Sequence, residues 1–568
     1  MTNTHAPLPI WIKIAWIGAF LANIKSIFAD YDVDLSYAVV TSYRHLSGER
    51  MFMEMREPHQ TSGFLLDALM WIFRRITGSY DGVVIFLNIF GVIAYAVLAV
   101  LLVNTLKKYT DLKIVHLIGV MVFAFRVRQI VMPEFSNMLS GFSILLIVLL
   151  IRHLDKENDL LYLFASALTL CLMALSYPSA VIAYIAVIVV FIRYSNTKKK
   201  DILFFSIICA ACGAAYILLF SIRAGGLAEF IGNLKLIVSG DSTHDFGLNS
   251  DLGFYFRDLL IGCAWLATSY LFAALVTLIY KFIKKKTSSA VFGISFGCAF
   301  ILMDLITCVS VDVIQYPTMK YVFGSIWLFL IIYAIPGIKE CNESEKKIWI
   351  IALFISLADT VSVFALTNMD LISVIQYLIP AGAISVIPLS KHIAKKRDSE
   401  AISYGYSCII PVLIALLVVL HRGIVMRDYA VRCSSIIGIE GIVKNGPAKG
   451  IVCSYMSAYM TKCNEEDWIQ YVNPGESVLV VSNGLYDPLV YCFQDSSVSH
   501  YSTIDTPTFD ETLLSYWDQY PDKKPAVIVV ECWYGDMHVE EDSWIMKWVD
   551  ENCEFIADGR YFRFYRVK

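Results

Sequence analysis

The chain has 568 residues, of which 57% are hydrophobic and only 17% are charged, with a formal net charge of −4 at pH 7. This composition is too apolar for a soluble enzyme of the same length, and it is typical of a protein that crosses a membrane many times. The chain has no excess of basic residues that would indicate a nucleic-acid partner. Its lysines and arginines occur as short clusters between apolar segments.

Apolar segments that could cross a bilayer recur about thirteen times between Ile14 and Leu420, since each transmembrane helix needs roughly 20 residues. This pattern predicts a polytopic α-helical membrane protein. The first segment follows no basic stretch and has no small-residue cleavage site before Asp30, so we expect a retained helix rather than a signal peptide. The predicted spans are 14–28, 82–103, 114–126, 138–152, 160–176, 179–194, 202–222, 258–281, 289–309, 319–337, 348–366, 371–389 and 403–421.

Loops rich in lysine and arginine fall on every second connection between these spans, which predicts that they face the cytoplasm. The opposite side then holds residues 29–81, here named the first loop, and everything after Arg422. An odd number of spans predicts an integral, multi-pass membrane module of residues 1–421 and an extracytoplasmic C-terminal domain of residues 422–568. The basic clusters are at 107–108, 152–156, 198–200, 284–286, 346–347 and 395–397.

The C-terminal domain contains strand-like and helix-like patterns in alternation. The predicted strands are 477–482, 525–531 and 561–567, with helices at 451–472, 508–518 and 540–551. With about 145 residues, this region is large enough to bury its own core as an α/β domain. Its cysteines lie on the side of the membrane where disulfides can form, and no pairing follows from the sequence alone.

Three aspartates, Asp30, Asp32 and Asp34, directly follow the first predicted span. Desolvating a carboxylate at a bilayer boundary costs on the order of several kcal/mol unless a partner or a substrate offsets it. The cluster therefore indicates a functional site, and a solvated acidic loop is the alternative. Lys25, near the end of the first span, could pair with Asp30 and make that aspartate structural.

Four different short motifs occur at or near the predicted outer ends of the spans. They are Asp34 followed by Tyr37, Ala38 and Gly48-Glu49; Glu57-Pro58-His59-Gln60-Thr61 before an apolar helix; Ser176-Tyr177-Pro178 between two spans; and Tyr316-Pro317-Thr318-Met319-Lys320-Tyr321. In these motifs and in its layout the chain resembles the GT-C superfamily of membrane glycosyltransferases, which includes protein O-mannosyltransferases and aminoarabinose transferases. It departs from the family pattern at Leu35, where the family usually has glutamate.

The resemblance implies that Asp34 is the catalytic acid of the family, or Asp32 if the register slips by two residues. The chemistry agrees, because transfer of a sugar from a lipid-linked phosphate needs a base for the acceptor hydroxyl and cations for the departing phosphate. Basic residues at the outer ends of spans could bind that phosphate, and interfacial snorkelling is their alternative role. These donor-site candidates are Arg126, Arg128 and Lys320, with Tyr316 in the motif of Lys320.

Three further residues are candidates for acceptor binding or for a second acid. Glu134 lies in the second outer loop, where a solvated residue is the alternative. Glu57 and His59 could bind the acceptor or a metal, or they could have a structural role.

Other carboxylates leave alternatives open. Asp32 and Asp34 form an Asp-Val-Asp pattern that could bind a divalent cation, so metal dependence stays undecided. Asp304 and Asp359 fall inside predicted spans, where they could line a groove for the lipid donor or bond to neighbouring helices.

The sequence thus predicts an integral membrane glycosyltransferase that transfers a sugar from a polyprenyl-phosphate-linked donor to a cell-envelope acceptor at the outer face. A single carboxylate base favours inversion by single displacement. One alternative is a transporter or flippase of envelope lipids or lipid-linked sugars, against which stands the lack of interrupted helices in two matching halves. Another is a membrane-anchored binding protein whose C-terminal domain carries the function.

Overall fold

The fold was taken from a computed structural model of the chain. The described residues are 8–29, 31, 33–57, 59–127, 130–155, 159–239, 252–285, 291–292, 294–299, 302, 317–365, 374–395, 419, 422–428, 432–482, 498–500, 511–533, 536–537 and 539–568.

Residues up to 395 are almost entirely helical where they are described. In chain order the α-helices are α1 (Ile10–Ala29), α2 (Val33–Leu46), α3 (Gly63–Thr77), α4 (Val83–Leu106), α5 (Leu112–Ala124), α6 (Phe135–Asp155), α7 (Leu160–Ser176), α8 (Ala183–Tyr194), α9 (Lys198–Arg223), α10 (Leu227–Ser239), α11 (Leu252–Lys284), α12 (Pro317–Ala334), α13 (Glu343–Ala365), α14 (Ile379–Ile384) and α15 (Val386–Lys395).

Within the described residues, six helical segments are long and apolar enough to cross a membrane, and α5, α7 and α8 are shorter apolar helices. The predicted spans 289–309 and 403–421 lie largely outside the described residues, so the number of about thirteen predicted from roughly 20-residue segments stays a prediction. The predicted span 371–389 is not one helix. It is divided between α14 and α15, where Pro380 and Pro388 each remove a backbone donor.

Local chemistry sets the ends of several helices. The Asp111 carboxylate accepts a hydrogen bond from the Lys113 amide at 2.8 Å and so begins α5, and Asp159 does the same for α7 through the Leu161 amide. The extended segment between α5 and α6 lies against α4, because a side chain at Gly91 would come within 1.9 Å of the Val131 carbonyl oxygen. Gly91 therefore permits the close approach that places this segment at the end of the bundle.

Where it is described, the C-terminal domain combines short strands with three α-helices. Its main sheet has the order β5-β6-β9-β8, in which β5 and β6 are parallel and the other pairs are antiparallel, and β7 pairs with β6. The elements are β1 (Val425–Asp428), β2 (Arg432–Ser435), β3 (Ile439–Ile442), β4 (Val452–Ser454), α16 (Tyr455–Tyr471), β5 (Val478–Val481), α17 (Glu511–Gln519), β6 (Val527–Trp533), β7 (Asp536–Met537), α18 (Trp544–Asn552), β8 (Cys553–Asp558) and β9 (Phe562–Val567).

The predicted strands 477–482, 525–531 and 561–567 correspond to β5, β6 and β9. The helix predicted over 451–472 is wrong at its start, where Val452–Ser454 pair with β3 before α16 begins. Cys463 and Cys553 carry free thiols in this domain.

The first loop and the C-terminal domain share one hydrophobic core. Leu35, Ala38 and Leu66 from α2 and α3 belong to the same buried cluster as Val480 and Val529 of the main sheet. Since the core is continuous, the two parts lie on the same side of the membrane, as the alternation of basic loops predicts. Which side this is remains a prediction.

Candidate active site

Asp34 is the second residue of α2, at the start of the first loop. Asp30 and Asp32 lie outside the described residues, as does any pairing of Lys25 with Asp30. The Lys25 ammonium donates to the Val425 carbonyl at 2.5 Å, which connects α1 to the first strand of the C-terminal domain. The Asp34 side chain is not described, and its role as the catalytic acid stays a prediction.

Arg126 follows α5 and is fully buried where α1, α4 and α5 meet. Its Nη1 donates to the carbonyl oxygens of Val122, Phe123 and Phe125 at 3.1, 2.6 and 2.9 Å, which caps the end of α5. Its Nη2 donates to Asn23 Oδ1 at 3.2 Å. Snorkelling therefore does not describe Arg126, because the side chain points into the bundle and not toward an interface.

The charge of Arg126 has only neutral partners among the described residues. The guanidinium carbon lies 3.7 Å from the centre of the Tyr95 ring, and no described carboxylate forms an ion pair with it. Its Nε has no hydrogen-bond acceptor there, although the atom is buried. The nearby positive charge of Arg422 adds repulsion. A buried cation in this situation favours an anion, since an unsatisfied buried donor is costly.

Glu134 caps the next helix. Its carboxylate accepts hydrogen bonds from the amides of Ser136 at 2.8 Å and Asn137 at 2.7 Å, at the start of α6. The side chain is fully buried, so the alternative of a solvated loop residue is wrong. This geometry accounts for Glu134 as a helix cap.

Glu57 belongs to a buried network of charges. Its Oε1 lies 3.5 Å from Arg44 Nη1, and Arg44 also pairs with Glu49 at 2.7 Å. Glu49 in turn pairs with Lys523 of the C-terminal domain at 3.0 Å. Sequence reasoning missed Arg44 and Lys523, because no local signal connects residues so far apart in the chain.

His59 lies between two aromatic rings. Its ring stacks on Phe135 with a centroid distance of 4.5 Å and packs against Tyr177 in a tilted arrangement at 4.4 Å. The neighbouring Thr61 hydroxyl donates to the Leu175 carbonyl at 2.7 Å. These contacts join the first loop to the ends of α6 and α7, and they describe His59 as a packed residue beside the candidate site.

The remaining donor-site candidates are only partly covered by the structure. Arg128 and Tyr316 lie outside the described residues. Lys320 is in the first turn of α12, and its side chain is not described. Further along this helix, Trp327 packs edge-on against Phe125 with a centroid distance of 5.2 Å. The helix that carries Lys320 therefore passes beside the segment that carries Arg126.

Asp359 of α13 accepts a short hydrogen bond from the Ser143 hydroxyl of α6. This is the second of the two roles considered for it, a bond to a neighbouring helix. Asp304 lies outside the described residues. Among the residues that the structure describes, no three His, Cys, Asp or Glu side chains come together as a metal site. A divalent cation at Asp32 and Asp34 stays a hypothesis.

A polar group that sequence reasoning missed joins the first loop to α9. Asp67 accepts a hydrogen bond from Ser42 at 2.6 Å and lies 2.5 Å from His45 Nδ1. Arg223 Nη1 is 2.7 Å from His45 Nε2. Because arginine can only donate, Nε2 is the acceptor and Nδ1 carries the hydrogen that is donated to Asp67.

No family model matches the chain, and no curated protein matches it. Similar solved structures include the oligosaccharyltransferase of Archaeoglobus fulgidus with Zn and sulfate, at 11% identity and a TM-score of 0.46 over 92% of this chain and 68% of that one. Another is the oligosaccharyltransferase AglB of the same organism with an inhibitory peptide and a dolichol-phosphate, at 10% identity and a TM-score of 0.43 over 92% and 69%.

ArnT from Cupriavidus metallidurans in the apo state is also similar, at 9% identity and a TM-score of 0.45 over 98% of this chain and 97% of that one. AglB and ArnT are both members of the GT-C superfamily, the family that the sequence motifs resemble. With identities near 10% and TM-scores below 0.5, the likeness is one of overall layout. The function is therefore proposed from the residues of this chain.

Proposed function

We propose that the protein is an integral membrane glycosyltransferase that transfers a sugar from a polyprenyl-phosphate-linked donor to a cell-envelope acceptor at the outer face. The observation that carries this proposal is the buried guanidinium of Arg126, which has no carboxylate partner among the described residues and an Nε without an acceptor. A lipid phosphate would provide both the missing negative charge and the missing acceptor oxygen.

The proposed position of the base agrees with this donor site. Asn23, which contacts Arg126, lies about six residues before the end of α1, which is about 9 Å along a helix that rises roughly 1.5 Å per residue. The helix α2, which carries Asp34, begins shortly after α1 ends. A phosphate at Arg126 and a base at Asp34 would therefore occupy the same end of α1.

In the proposed reaction, Asp34 accepts the proton of an acceptor hydroxyl while the hydroxyl oxygen forms a bond to the anomeric carbon of the sugar. The bond between this carbon and the phosphate oxygen breaks, and its electron pair leaves with the polyprenyl phosphate. Arg126 stabilises the negative charge that develops on the leaving phosphate, with Lys320 and Arg128 as further candidates. One displacement inverts the anomeric configuration.

Binding of polyprenyl phosphate itself tests the donor site without knowledge of the sugar. We expect Arg126→Gln to weaken binding of undecaprenyl phosphate to the purified protein by about 10- to 150-fold, because a charge-assisted hydrogen bond contributes roughly 1.5 to 3 kcal/mol. Native mass spectrometry in detergent is a suitable measurement. Arg193→Gln, at an exposed arginine near the end of α8, is the matched control and should bind normally.

Equal binding by the two variants would contradict the donor site. Release of polyprenyl phosphate from a panel of polyprenyl-phosphate sugars then tests the reaction. If the protein instead moved such lipids between the leaflets of vesicles without releasing polyprenyl phosphate, the transporter alternative would replace the glycosyltransferase.

A further inference from the structure

We propose that the C-terminal domain holds α2 in position through a buried network of charges, with Lys523 as a positioning residue for the helix that carries Asp34. This coupling between the C-terminal domain and α2 concerns the fold alone. Only its effect on catalysis rests on the proposed function. Four side chains form the network: Arg44 and Lys523 are positive, and Glu49 and Glu57 are negative.

All four side chains are removed from water. Their exposed fractions are 1% for Arg44, 6% for Glu49, 2% for Glu57 and 9% for Lys523. Among these four described side chains, two are positive and two are negative only when Lys523 is counted. Deleting one member of a buried ion pair leaves an uncompensated charge, which disturbs structure far more than loss of an exposed ion pair.

Arg44 lies near the end of α2 and is the centre of the network. Its Nη2 also donates to the carbonyl oxygens of Ser499 at 2.8 Å and Glu54 at 3.2 Å. One side chain of α2 is therefore hydrogen-bonded to the first loop and to the C-terminal domain at once. The position of α2 depends on how that domain is docked.

Tyr37, near the start of α2, is buried close to Glu57, although its hydroxyl has no hydrogen-bond partner among the described residues. Burial and the neighbouring Glu57 carboxylate raise the pKa of Tyr37 well above its usual value. Tyr37 lies one helical turn after Asp34 in the chain. The environment of Glu57 is thus shared between Arg44, near the end of α2, and Tyr37, close to the proposed base.

Further hydrogen bonds join the same segment to the C-terminal domain. The Tyr516 hydroxyl donates to the Glu54 carbonyl at 3.1 Å, and Arg56 Nη2 donates to Gln519 Oε1 at 2.8 Å. The Arg56 amide donates to the His500 carbonyl at 2.9 Å. Residues 49–57 are thereby held between α2 and the C-terminal domain, and Lys523 supplies the positive charge from the domain side.

Lys523→Met tests the coupling, and Lys524→Met is a matched control because Lys524 is the adjacent residue and is exposed. The first readout is hydrogen exchange of residues 33–46 in the full-length protein, which requires no activity. We expect exchange in Lys523→Met to rise by roughly tenfold or more, with Lys524→Met unchanged and Lys523→Arg close to wild type. Unchanged exchange in Lys523→Met would overturn the proposal.

The second readout is sugar transfer. We expect Lys523→Met to lower kcat with little change in the KM for the lipid donor, since the donor site at Arg126 is separate from the network. If Lys523→Met does not fold, the double variant Glu49→Gln with Lys523→Met, which removes one charge of each sign, replaces it. Recovery of α2 protection in the double variant supports the charge balance, and continued loss contradicts it.

The failures of the two proposals are distinguishable. If Lys523→Met raises hydrogen exchange in α2 but no variant transfers sugar, including wild type, the proposed glycosyltransferase activity is rejected and the coupling is retained. Normal transfer and normal exchange in Lys523→Met would retain the enzyme and reject the coupling.

Discussion

At the scale of single residues, the proposed chemistry depends on Arg126 and Asp34, and Arg126 also has a structural role. Arg126 caps α5 through one terminal nitrogen, while its Nε remains without an acceptor among the described residues. Asp34 stands in the first turn of α2, where a negative charge interacts favourably with the helix dipole. Substitutions at these positions must therefore separate loss of chemistry from loss of structure.

Asp34→Asn tests the proposed base, because the amide keeps the shape of the carboxylate but cannot accept the acceptor's proton. We expect sugar transfer to fall on the order of 100-fold or more, the usual contribution of a general base. The free energy of unfolding, measured by thermal denaturation, should change by less than about 1 kcal/mol, the usual size of a helix-dipole interaction. Asp32→Asn should be the next most damaging. Wild-type turnover in both variants would show that neither aspartate is the base.

At the scale of elements, the structure is organised around junctions between helix ends and the C-terminal domain. Glu134 begins α6, and Asp111 begins α5, so the segment that carries Arg126 is bounded by capped helices. The segment 498–500 contacts the first loop through the Ser499 carbonyl and the His500 carbonyl. The charged groups next to this segment make its docking dependent on pH.

Burial, together with the charges of Arg56 and Arg44, lowers the pKa of His500 from 6.5 to about 3. Because the folded pKa is below the unfolded value, protonation favours the undocked or unfolded state. Stability is therefore full above about pH 6.5 and is lost as pH falls toward 3. At pH 5 the expected loss is about 2 kcal/mol.

Hydrogen exchange of residues 49–57 at pH 7.5 and pH 5, corrected for intrinsic rates, measures this effect. Tyr516, whose ring lies 5.5 Å from that of His500, stays neutral throughout this range, since burial raises its pKa further. In His500→Gln the part of the pH dependence due to this group should disappear. An identical pH dependence in wild type and His500→Gln would show that other groups cause it.

At the scale of the whole molecule, one continuous core joins α2 and α3 to the main sheet of the C-terminal domain. The first loop is thus enclosed between the membrane helices and this domain. At the junction, Gly82 has a φ of +81°, a backbone conformation that favours glycine, and its amide donates to the Gly446 carbonyl at 3.0 Å. The topology of the membrane part consequently sets the side on which the proposed reaction occurs.

Cysteine labelling in intact cells tests this topology. On a cysteine-depleted background, we expect an impermeant maleimide to label Asp81→Cys and Lys524→Cys, which are exposed positions in the first loop and the C-terminal domain. Lys199→Cys, in the basic cluster that begins α9, should be labelled only after permeabilisation, since such clusters are predicted to stay in the cytoplasm. Labelling of all three positions in intact cells would contradict the predicted alternation.

The sequence alone determined the features that depend on local composition. Apolar runs of helical length predicted α1, α4 and α9 closely, and β-branched runs predicted β5 and β6, because the hydrophobic effect and strand propensity act on neighbouring residues. Pro380 and Pro388, in α14 and α15, were visible in the sequence. The apolar run around them nevertheless favoured a single span over 371–389.

Only the tertiary structure decided which polar side chains meet. Glu49 and Lys523 are separated by 474 positions in the chain, and their contact depends on the docking of a domain rather than on any local pattern. In the same way, Arg126 became a buried cation because α1 and α4 pack around the end of α5. Burial and partner choice are properties of the packed chain, because the desolvation cost of a charge depends on everything that surrounds it.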